Sequence, residues 1–272
     1  MHSSDRSPWL AADDPAPVEQ FNPSGASPFL LIADHAGVAI PAHLEGLGVN
    51  AQDMGRHIAS DLGIRTLALA LSARIDAPLV MQRYSRLVID CNRDPARADA
   101  IPAVSDGTAI PGNAMLSAMD RAARVAEIHA PYHEAIAARL DARADAGRAT
   151  ILVALHSFTP VMQGFARPWQ IGILHDGGDL RFARAMLAVL RGRGDLNVGD
   201  NEPYRMDSID YSIPHHAYPR GLPYAEIELR QDLLTGPQAG AMLDLVEASL
   251  AAARAALDTG RDPKEESGGT RV

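Results

Sequence analysis

Short apolar runs that end in polar residues recur along the chain and predict buried strands. The clearest is Ile151–Leu155, five consecutive apolar residues followed directly by His156. An uninterrupted run of this kind is typical of a strand that is covered on both faces of a sheet. Residues 29–34 form a similar stretch, apolar up to Asp34, that leads into His35, and residues 224–229 form a third predicted strand in which glutamates alternate with apolar residues. Because carboxyl ends of strands face the ligand crevice in an open α/β sheet, both histidines are directed towards a candidate site.

Helical periodicity and turn residues predict the remaining elements. Asn50 is a suitable N-cap for a helix that begins near residue 51 and places His57 and Asp61, four residues apart, on one face. Strands are predicted at 78–81, 87–90 and 170–174, and helices at 51–61, 64–74, 117–146 (kinked near Pro131), 180–192 and 237–256. Strands alternate with helices without an internal repeat or a linker, which predicts a single α/β domain.

The two ends of the chain differ from the rest in composition. Residues 1–27 are polar and proline-rich, and we expect an irregular N-terminal arm there. Residues 28–257 form the predicted domain. Residues 258–272 are charged and rich in glycine, which predicts a disordered tail.

Composition restricts the classes of function. With 25 basic and 34 acidic residues among 272, the net charge of −9 argues against binding to nucleic acid or to an anionic membrane. Cys91 is the only cysteine, so a transition metal would need ligands from His, Asp or Glu. No segment has the roughly 18 consecutive apolar residues of a membrane span, and the N-terminus lacks the apolar core of a signal peptide. The expected location is therefore the cytoplasm.

The two strand-end histidines suggest a metal site. One such histidine alone would more often be structural, but His35 and His156 share the same placement. Zinc hydrolases typically use three protein ligands and leave one position for water. His57 and Asp61 are both candidates for the third ligand, and the residues alone do not choose between them.

Glu228 is the candidate general base. It alternates with apolar residues on the last strand, so its side chain points away from theirs, and a carboxylate beside an activated water can accept a proton. Glu226 shares that face, and a salt bridge from Glu228 to Arg230 is the structural alternative. Guanidinium groups bind carboxylates bidentately, so the arginines could hold an acidic substrate, although each alone is more often a surface or packing residue. The candidates are Arg86, Arg93, Arg167 and Arg230.

Several motifs, in the same order, resemble the N-formylglutamate amidohydrolase family from about residue 29 to residue 255. They are Asp34–Gly37, His57–Gly63, Tyr84–Arg93, Ile110–Asn113, Pro131–His133, His156–Pro160, Gly199–Tyr204 and Glu228–Leu233.

The resemblance implies an open, mixed, mostly parallel sheet flanked by helices, similar to zinc carboxypeptidases. It implies one divalent metal ion per chain, expected to be Zn²⁺, and hydrolysis of N-formyl-L-glutamate, or a close N-acyl amino acid, to glutamate and formate in histidine degradation. Asn92 and Arg93 resemble the pair that binds the substrate carboxylate in the wider group, and Glu228 resembles its base. Val38 stands where that group has a glutamate ligand, which favours Asp61 ahead of His57 as the substitute. A deacylase for another N-acyl amino acid or small peptide, and a non-catalytic binding protein for an acidic metabolite, are the alternatives.

Overall fold

The computed structural model describes residues 9–259. Eleven strands lie within that range: β1 (Val18–Phe21), β2 (Phe29–Ala33), β3 (Leu79–Gln82), β4 (Val104–Ser105), β5 (Thr108–Ala109), β6 (Ile151–Phe158), β7 (Val161–Met162), β8 (Phe165–Ala166), β9 (Ile171–Leu174), β10 (Val198–Asp200) and β11 (Tyr224–Arg230). Two pairs of short strands, β4 with β5 and β7 with β8, form separate hairpins. The other seven strands form one sheet.

The sheet runs in the order β1-β3-β2-β6-β11-β9-β10, with the apolar strand β6 at its centre. The pairs β2–β3, β2–β6, β6–β11 and β9–β10 are parallel, whereas β1–β3 and β9–β11 are antiparallel. A mixed, mostly parallel sheet in one domain is therefore confirmed. Because β2, β6 and β11 are adjacent and parallel, their carboxyl ends meet at one edge.

Helices cover both faces of the sheet. They are α1 (Ala51–Met54), α2 (Ile64–Arg74), α3 (Ala118–Arg124), α4 (Ala130–Asp145), α5 (Arg181–Arg191), α6 (Ser212–His216) and α7 (Ala239–Asp258). One core layer joins α2, α5 and α7 to side chains such as Leu31, Val153 and Ile227. The other joins α4 and α6 to the alternate side chains, among them Ile32, Ala154 and Tyr224. The two-residue period of each strand thus divides the core between the faces.

The structure corrects the sequence prediction in the N-terminal arm. Within residues 9–27, predicted to be irregular, β1 pairs with β3 at the edge of the sheet, Val18 opposite Gln82. A short, half-exposed edge strand lacks the continuous apolar run by which the buried strands are detected. The disordered tail predicted from residue 258 lies almost wholly outside the described residues, although Asp258 itself ends α7.

The predicted helix over 51–61 is wrong beyond its first turn. Asn50 caps α1 as expected, since its side chain accepts a hydrogen bond from the Asp53 amide, but the helix ends at Met54. Gly55 follows, and glycine is a poor helix former, so His57 and Asp61 lie in turns rather than on one helix face.

The predicted strand at 87–90 is also wrong. Leu87, Val88 and Ile89 are buried in a third apolar cluster outside the sheet, where Val88 closes a turn on Ser85. A short apolar run does not distinguish a strand from a buried turn. The structure also contains β10 and α6 in the segment 195–221, for which the sequence predicts only loop.

The long helix predicted over 117–146 is present with an interruption. Its α3 and α4 parts are joined by a π-helical segment, Val125–His129, which ends two residues before Pro131. Within residues 9–259, no helix has both the length and the apolar character needed to cross a membrane.

Candidate active site

A cavity of about 570 Å³ opens where the parallel strands β2, β6 and β11 end. These strands bring His35, His156 and Glu228 to its wall, three residues that lie far apart in the sequence. Asp61 joins them from the turn before α2, where its amide bonds the His35 carbonyl. All four residues are at least 95% buried, so their side chains are largely shielded from bulk solvent.

Three side-chain atoms form a small triangle in this cavity. The Nδ1 atoms of His35 and His156 are 3.2 Å apart, and Asp61 Oδ2 lies 3.1 Å from His156 Nδ1 and 3.5 Å from His35 Nδ1. Ligands about 2.0–2.1 Å from a tetrahedral zinc ion are separated by about 3.3 Å. The triangle therefore has the size of one face of such a site, and these residues could hold a metal ion.

The outer nitrogens of the two histidines explain why the triangle suits a cation. His35 Nε2 donates a hydrogen bond to Asp90 Oδ1 at 2.7 Å, and His156 Nε2 lies 3.2 Å from Asp34 Oδ2. A carboxylate only accepts, so protons on the outer nitrogens leave both Nδ1 atoms with free electron pairs. These electron pairs and the Asp61 oxygen then converge, an arrangement that a positive ion stabilises. Carboxylates commonly orient metal-binding histidines in this way.

The same contacts keep the acidic groups charged. Burial acts to raise the pKa of Asp61, but the charge of His35 and the hydrogen bond to His156 hold it well below its ordinary value. Burial also opposes ionisation of Asp90, yet the charge of Arg86, followed by that of His35, holds its pKa far below the usual range. Burial lowers the pKa of His156, but the neighbouring carboxylates raise it on balance. Protons therefore compete with a metal for these nitrogens.

Glu228 is placed beside the triangle, since β11 and β6 are parallel and Glu228 is the partner of His156 in their register. Burial, with a smaller contribution from the Asp61 charge, raises the pKa of Glu228 to about 7. Its Oε2 is buried without a hydrogen-bond partner among the described residues. A carboxylate of this kind can exchange a proton with water near neutral pH. Glu228 makes no ion pair with Arg230, whose side chain binds Asp232 instead.

Glu226 lies on the same face of β11, two residues earlier, and also lines the cavity. Burial, followed by the charge of Asp210, raises its pKa far above the ordinary value. Its Oε1 is 3.9 Å from His156 Nε2, the nitrogen directed away from the triangle. Glu228 is therefore the glutamate beside the metal-ligand atoms. The sequence pattern alone did not choose between Glu226 and Glu228.

Arg86 lines the cavity but is engaged by carboxylates of the site. Its Nη2 donates to Asp90 Oδ2 at 2.6 Å, and its Nη1 lies 3.5 Å from Asp61 Oδ1. Arg86 thus holds in place the two carboxylates that contact His35. Its side chain is 25% exposed, so part of the guanidinium still faces the cavity.

Asn92 and Arg93 line the cavity as well, with different partners. Asn92 Oδ1 accepts hydrogen bonds from the amides of Tyr211 and Ser212, and its Nδ2 donates to Asp210 at 3.3 Å. Asn92 therefore holds the start of α6. Arg93 donates to the Asn92 carbonyl, and its Nη1 is 3.9 Å from Asp210 Oδ1, so its guanidinium lies next to the cavity.

Arg167 and Arg230 do not line the cavity. Arg167 is buried behind Tyr204, to whose hydroxyl it donates a hydrogen bond at 3.0 Å. Their assignment to direct substrate binding is therefore not supported by their positions. Sequence spacing alone does not reveal which neighbour covers a guanidinium.

Tyr204 and Arg205 line the cavity and escaped the sequence reasoning. Arg205 is exposed and makes no hydrogen bond or ion pair to the described residues, so its guanidinium is available to a ligand. Tyr204 is the last residue of the motif Gly199–Tyr204 and Arg205 follows it directly, so this family motif was the one signal that could have indicated them.

His57 lies in the cavity wall apart from the triangle. Its Nε2 is 3.5 Å from Asp106 Oδ2, and burial lowers its pKa. The structure thus brings together His35, Asp61 and His156 and leaves His57 outside. His129 and His133 bond the carbonyls of Arg93 and Cys91 and so anchor the loop that carries these two residues.

A mixed α/β sheet with histidines and carboxylates in a cavity at the strand ends is an arrangement found in hydrolases that activate a water molecule. The family model for N-formylglutamate amidohydrolase matches residues 27–235. The chain belongs to the N-formylglutamate amidohydrolase family and is an amidohydrolase.

Two solved structures share the fold of this chain. A gene product from Agrobacterium tumefaciens is 36% identical and has a TM-score of 0.88, with 92% of this chain and 99% of that chain covered. The N-formylglutamate amidohydrolase from Ralstonia eutropha is 20% identical and has a TM-score of 0.65, with 89% and 98% covered, which is a likeness of fold. A comparison with curated proteins gave no match.

Proposed function

We propose that the protein hydrolyses the amide bond of N-formyl-L-glutamate, or of a close N-acyl amino acid, with one zinc ion held by His35, Asp61 and His156. The observation that carries this proposal is the triangle of two Nδ1 atoms and one carboxylate oxygen, 3.1–3.5 Å on its edges, inside a buried cavity. Membership of the amidohydrolase family supports the reaction class.

A bound zinc ion would supply Lewis acidity, which lowers the pKa of water and polarises a carbonyl. Glu228 accepts the proton of the water molecule that attacks the acyl carbon, because its carboxylate lies beside His156 and its pKa of about 7 suits both protonation states. Glu228 then returns the proton to the leaving nitrogen. The C–N bond breaks, and the amino acid and formate are released.

The carboxylates of the substrate require cationic partners in the cavity. Arg205 has a free guanidinium, whereas Arg93 is already near Asp210 and Arg86 is bound to Asp90. We assign the side-chain carboxylate of the substrate to Arg205 and the α-carboxylate to Arg93, with Arg86 as a further contact. A fork of guanidinium donors suits carboxylate geometry.

A second substrate class is favoured by one observation. Asp99, Asp207 and Asp210 line the same cavity, and their charges oppose an acidic side chain. An N-acyl amino acid with a neutral side chain would avoid this repulsion. Both candidates use the same metal-ligand set and the same base.

A substrate panel separates these candidates. We expect kcat/KM to be higher for N-formyl-L-glutamate than for each of the other substrates. These are N-formyl-L-glutamine, which has the same shape without the charge, and the N-acetyl and N-succinyl analogues of glutamate. Arg205→Gln should raise KM for the glutamate substrate by about tenfold or more and leave the glutamine substrate nearly unchanged, since one charged hydrogen bond is lost. Equal kcat/KM values for both, with no effect of the variant, would favour the neutral class.

A further inference from the structure

Arg167 is a buried cation with no acidic partner. Its residue is 8% exposed, and none of the ion pairs of the described residues includes it. Its donors reach the Tyr204 hydroxyl, the Thr159 carbonyl and the sulfur of Met162, all of them uncharged. Burying an unpaired charge costs stability, which suggests that Arg167 has a functional role at this position.

The best-formed contacts of Arg167 are with Tyr204. The guanidinium lies over the Tyr204 ring, 4.7 Å from its centroid, and Nη1 donates to the phenol oxygen at 3.0 Å. A cation on the ring face and a donor on the oxygen together restrict the ring and the direction of the hydroxyl. The phenol oxygen accepts from Arg167, so its own proton remains available to another acceptor.

Tyr204 lines the same cavity as Glu228 and Arg86. Burial, followed by the charge of Glu228, raises the pKa of Tyr204, while Arg167 and Arg86 act in the opposite direction. The phenol stays protonated at neutral pH and can donate a hydrogen bond.

We propose that the Tyr204 hydroxyl donates a hydrogen bond to the acyl oxygen of the substrate as that oxygen gains negative charge, and that Arg167 is the positioning residue that aims it. This inference rests on the proposed function. No proton changes owner in this step, because the phenol keeps its proton and stabilises the tetrahedral oxyanion by hydrogen bonding. A donor bonded on its oxygen by a cation is a stronger donor.

The test is Tyr204→Phe, which keeps the ring and removes only the hydroxyl. Losing one oxyanion donor typically lowers kcat by about 10²–10³-fold. We expect a fall in that range with KM changed less than about threefold, since the bond strengthens in the transition state. Tyr211→Phe is the matched control, because the Tyr211 hydroxyl makes no hydrogen bond within residues 9–259 and does not line the cavity.

Arg167→Met tests the positioning role through a double-mutant cycle. The decrease in kcat should be smaller for Arg167→Met than for Tyr204→Phe. The double variant should be no slower than Tyr204→Phe alone. Arg167→Lys should restore part of the rate. If Arg167 were only a packing residue, its effect would persist unchanged in the Tyr204→Phe background, and that result would reject the positioning role.

The outcomes also separate this inference from the proposed function. A wild-type enzyme that hydrolyses an N-acyl amino acid, with unchanged kcat in Tyr204→Phe, would overturn the inference alone. A raised KM with unchanged kcat would also overturn it, because it would place the hydroxyl on a substrate carboxylate. A wild-type protein with no turnover of the whole panel would overturn the proposed function and the inference with it.

Discussion

Glu228 combines two properties that act against each other. Its position beside His156 suits proton transfer, but burial raises its pKa to about 7, so its ionised form destabilises the fold. Residues at reacting centres commonly carry such a cost. The predictions for this residue therefore concern both turnover and stability.

Replacing Glu228 by Gln should reduce turnover by at least about 10²-fold, since the amide cannot accept the proton of water. Metal content should stay at the wild-type value, because Glu228 is outside the His35–Asp61–His156 triangle. Elemental analysis and formate release measure the two quantities on the same sample. Loss of the metal in this variant would contradict the prediction and would indicate that Glu228 is itself a metal ligand.

The same variant makes a prediction for the chelator-treated protein. The folded-state pKa of about 7 lies above the ordinary value of 4.5, so the wild type loses stability as pH rises between these values. Glutamine cannot ionise, and Glu228→Gln should gain up to about 3 kcal/mol relative to wild type above pH 7. Thermal melts at pH 5 and pH 8 measure this difference. Equal Tm differences at both pH values would contradict the shifted pKa.

Single residues also show what a sequence can indicate. His35 and His156 were found because each follows a buried apolar run, and Glu228 was found because it alternates with apolar residues on a strand. Asp61 and His57 were not separable, because the choice depends on a turn that follows the short helix α1. The contacts of Arg167 and Arg230 depend on tertiary packing, which spacing does not encode.

At the scale of elements, the loop after β10 is packed unusually closely on the sheet. A Cβ atom on Gly172 of β9 would lie 1.9 Å from the Glu202 carbonyl oxygen, and one on Gly199 would lie 2.4 Å from it. Only glycine therefore lets this loop approach the strands. The loop carries Tyr204 and Arg205, so these two glycines set the position of cavity residues.

Gly172→Ala should displace the loop and lower both Tm and kcat/KM, the latter by at least about tenfold, because small displacements at a reacting centre are costly. Gly240→Ala is the matched control, since a Cβ there meets nothing within 4 Å and alanine favours the helix α7. Circular dichroism melts and steady-state kinetics check both variants. Wild-type activity in Gly172→Ala would show that the loop does not position the cavity residues.

The strands and helices that were predicted correctly from the sequence are the well-buried ones. The continuous apolar runs of β2 and β6 and the alternating pattern of β11 were recognised, as were the periodic helices α2, α5 and α7. The edge strand β1 and the elements β10 and α6 were missed, because they are short and held by neighbours rather than by a periodic pattern. Those misses matter for the site, since β10 leads into Tyr204.

At the scale of the whole molecule, the order of the strands creates the site. Parallel pairing of β2, β6 and β11 brings together side chains separated by up to about 190 residues in the chain. The alternation of strands and helices predicted the α/β class, and the family motifs predicted the mixed sheet. The cytoplasmic location and the role in histidine degradation stay predictions.

Formate release from N-formyl-L-glutamate by the purified protein, before and after metal removal, tests the central claim most directly. We expect about one zinc ion per chain, loss of activity on chelation and recovery when zinc is restored, with His156→Ala failing to recover. Turnover that persists after complete metal removal, confirmed by elemental analysis, would contradict the role assigned to His35, Asp61 and His156.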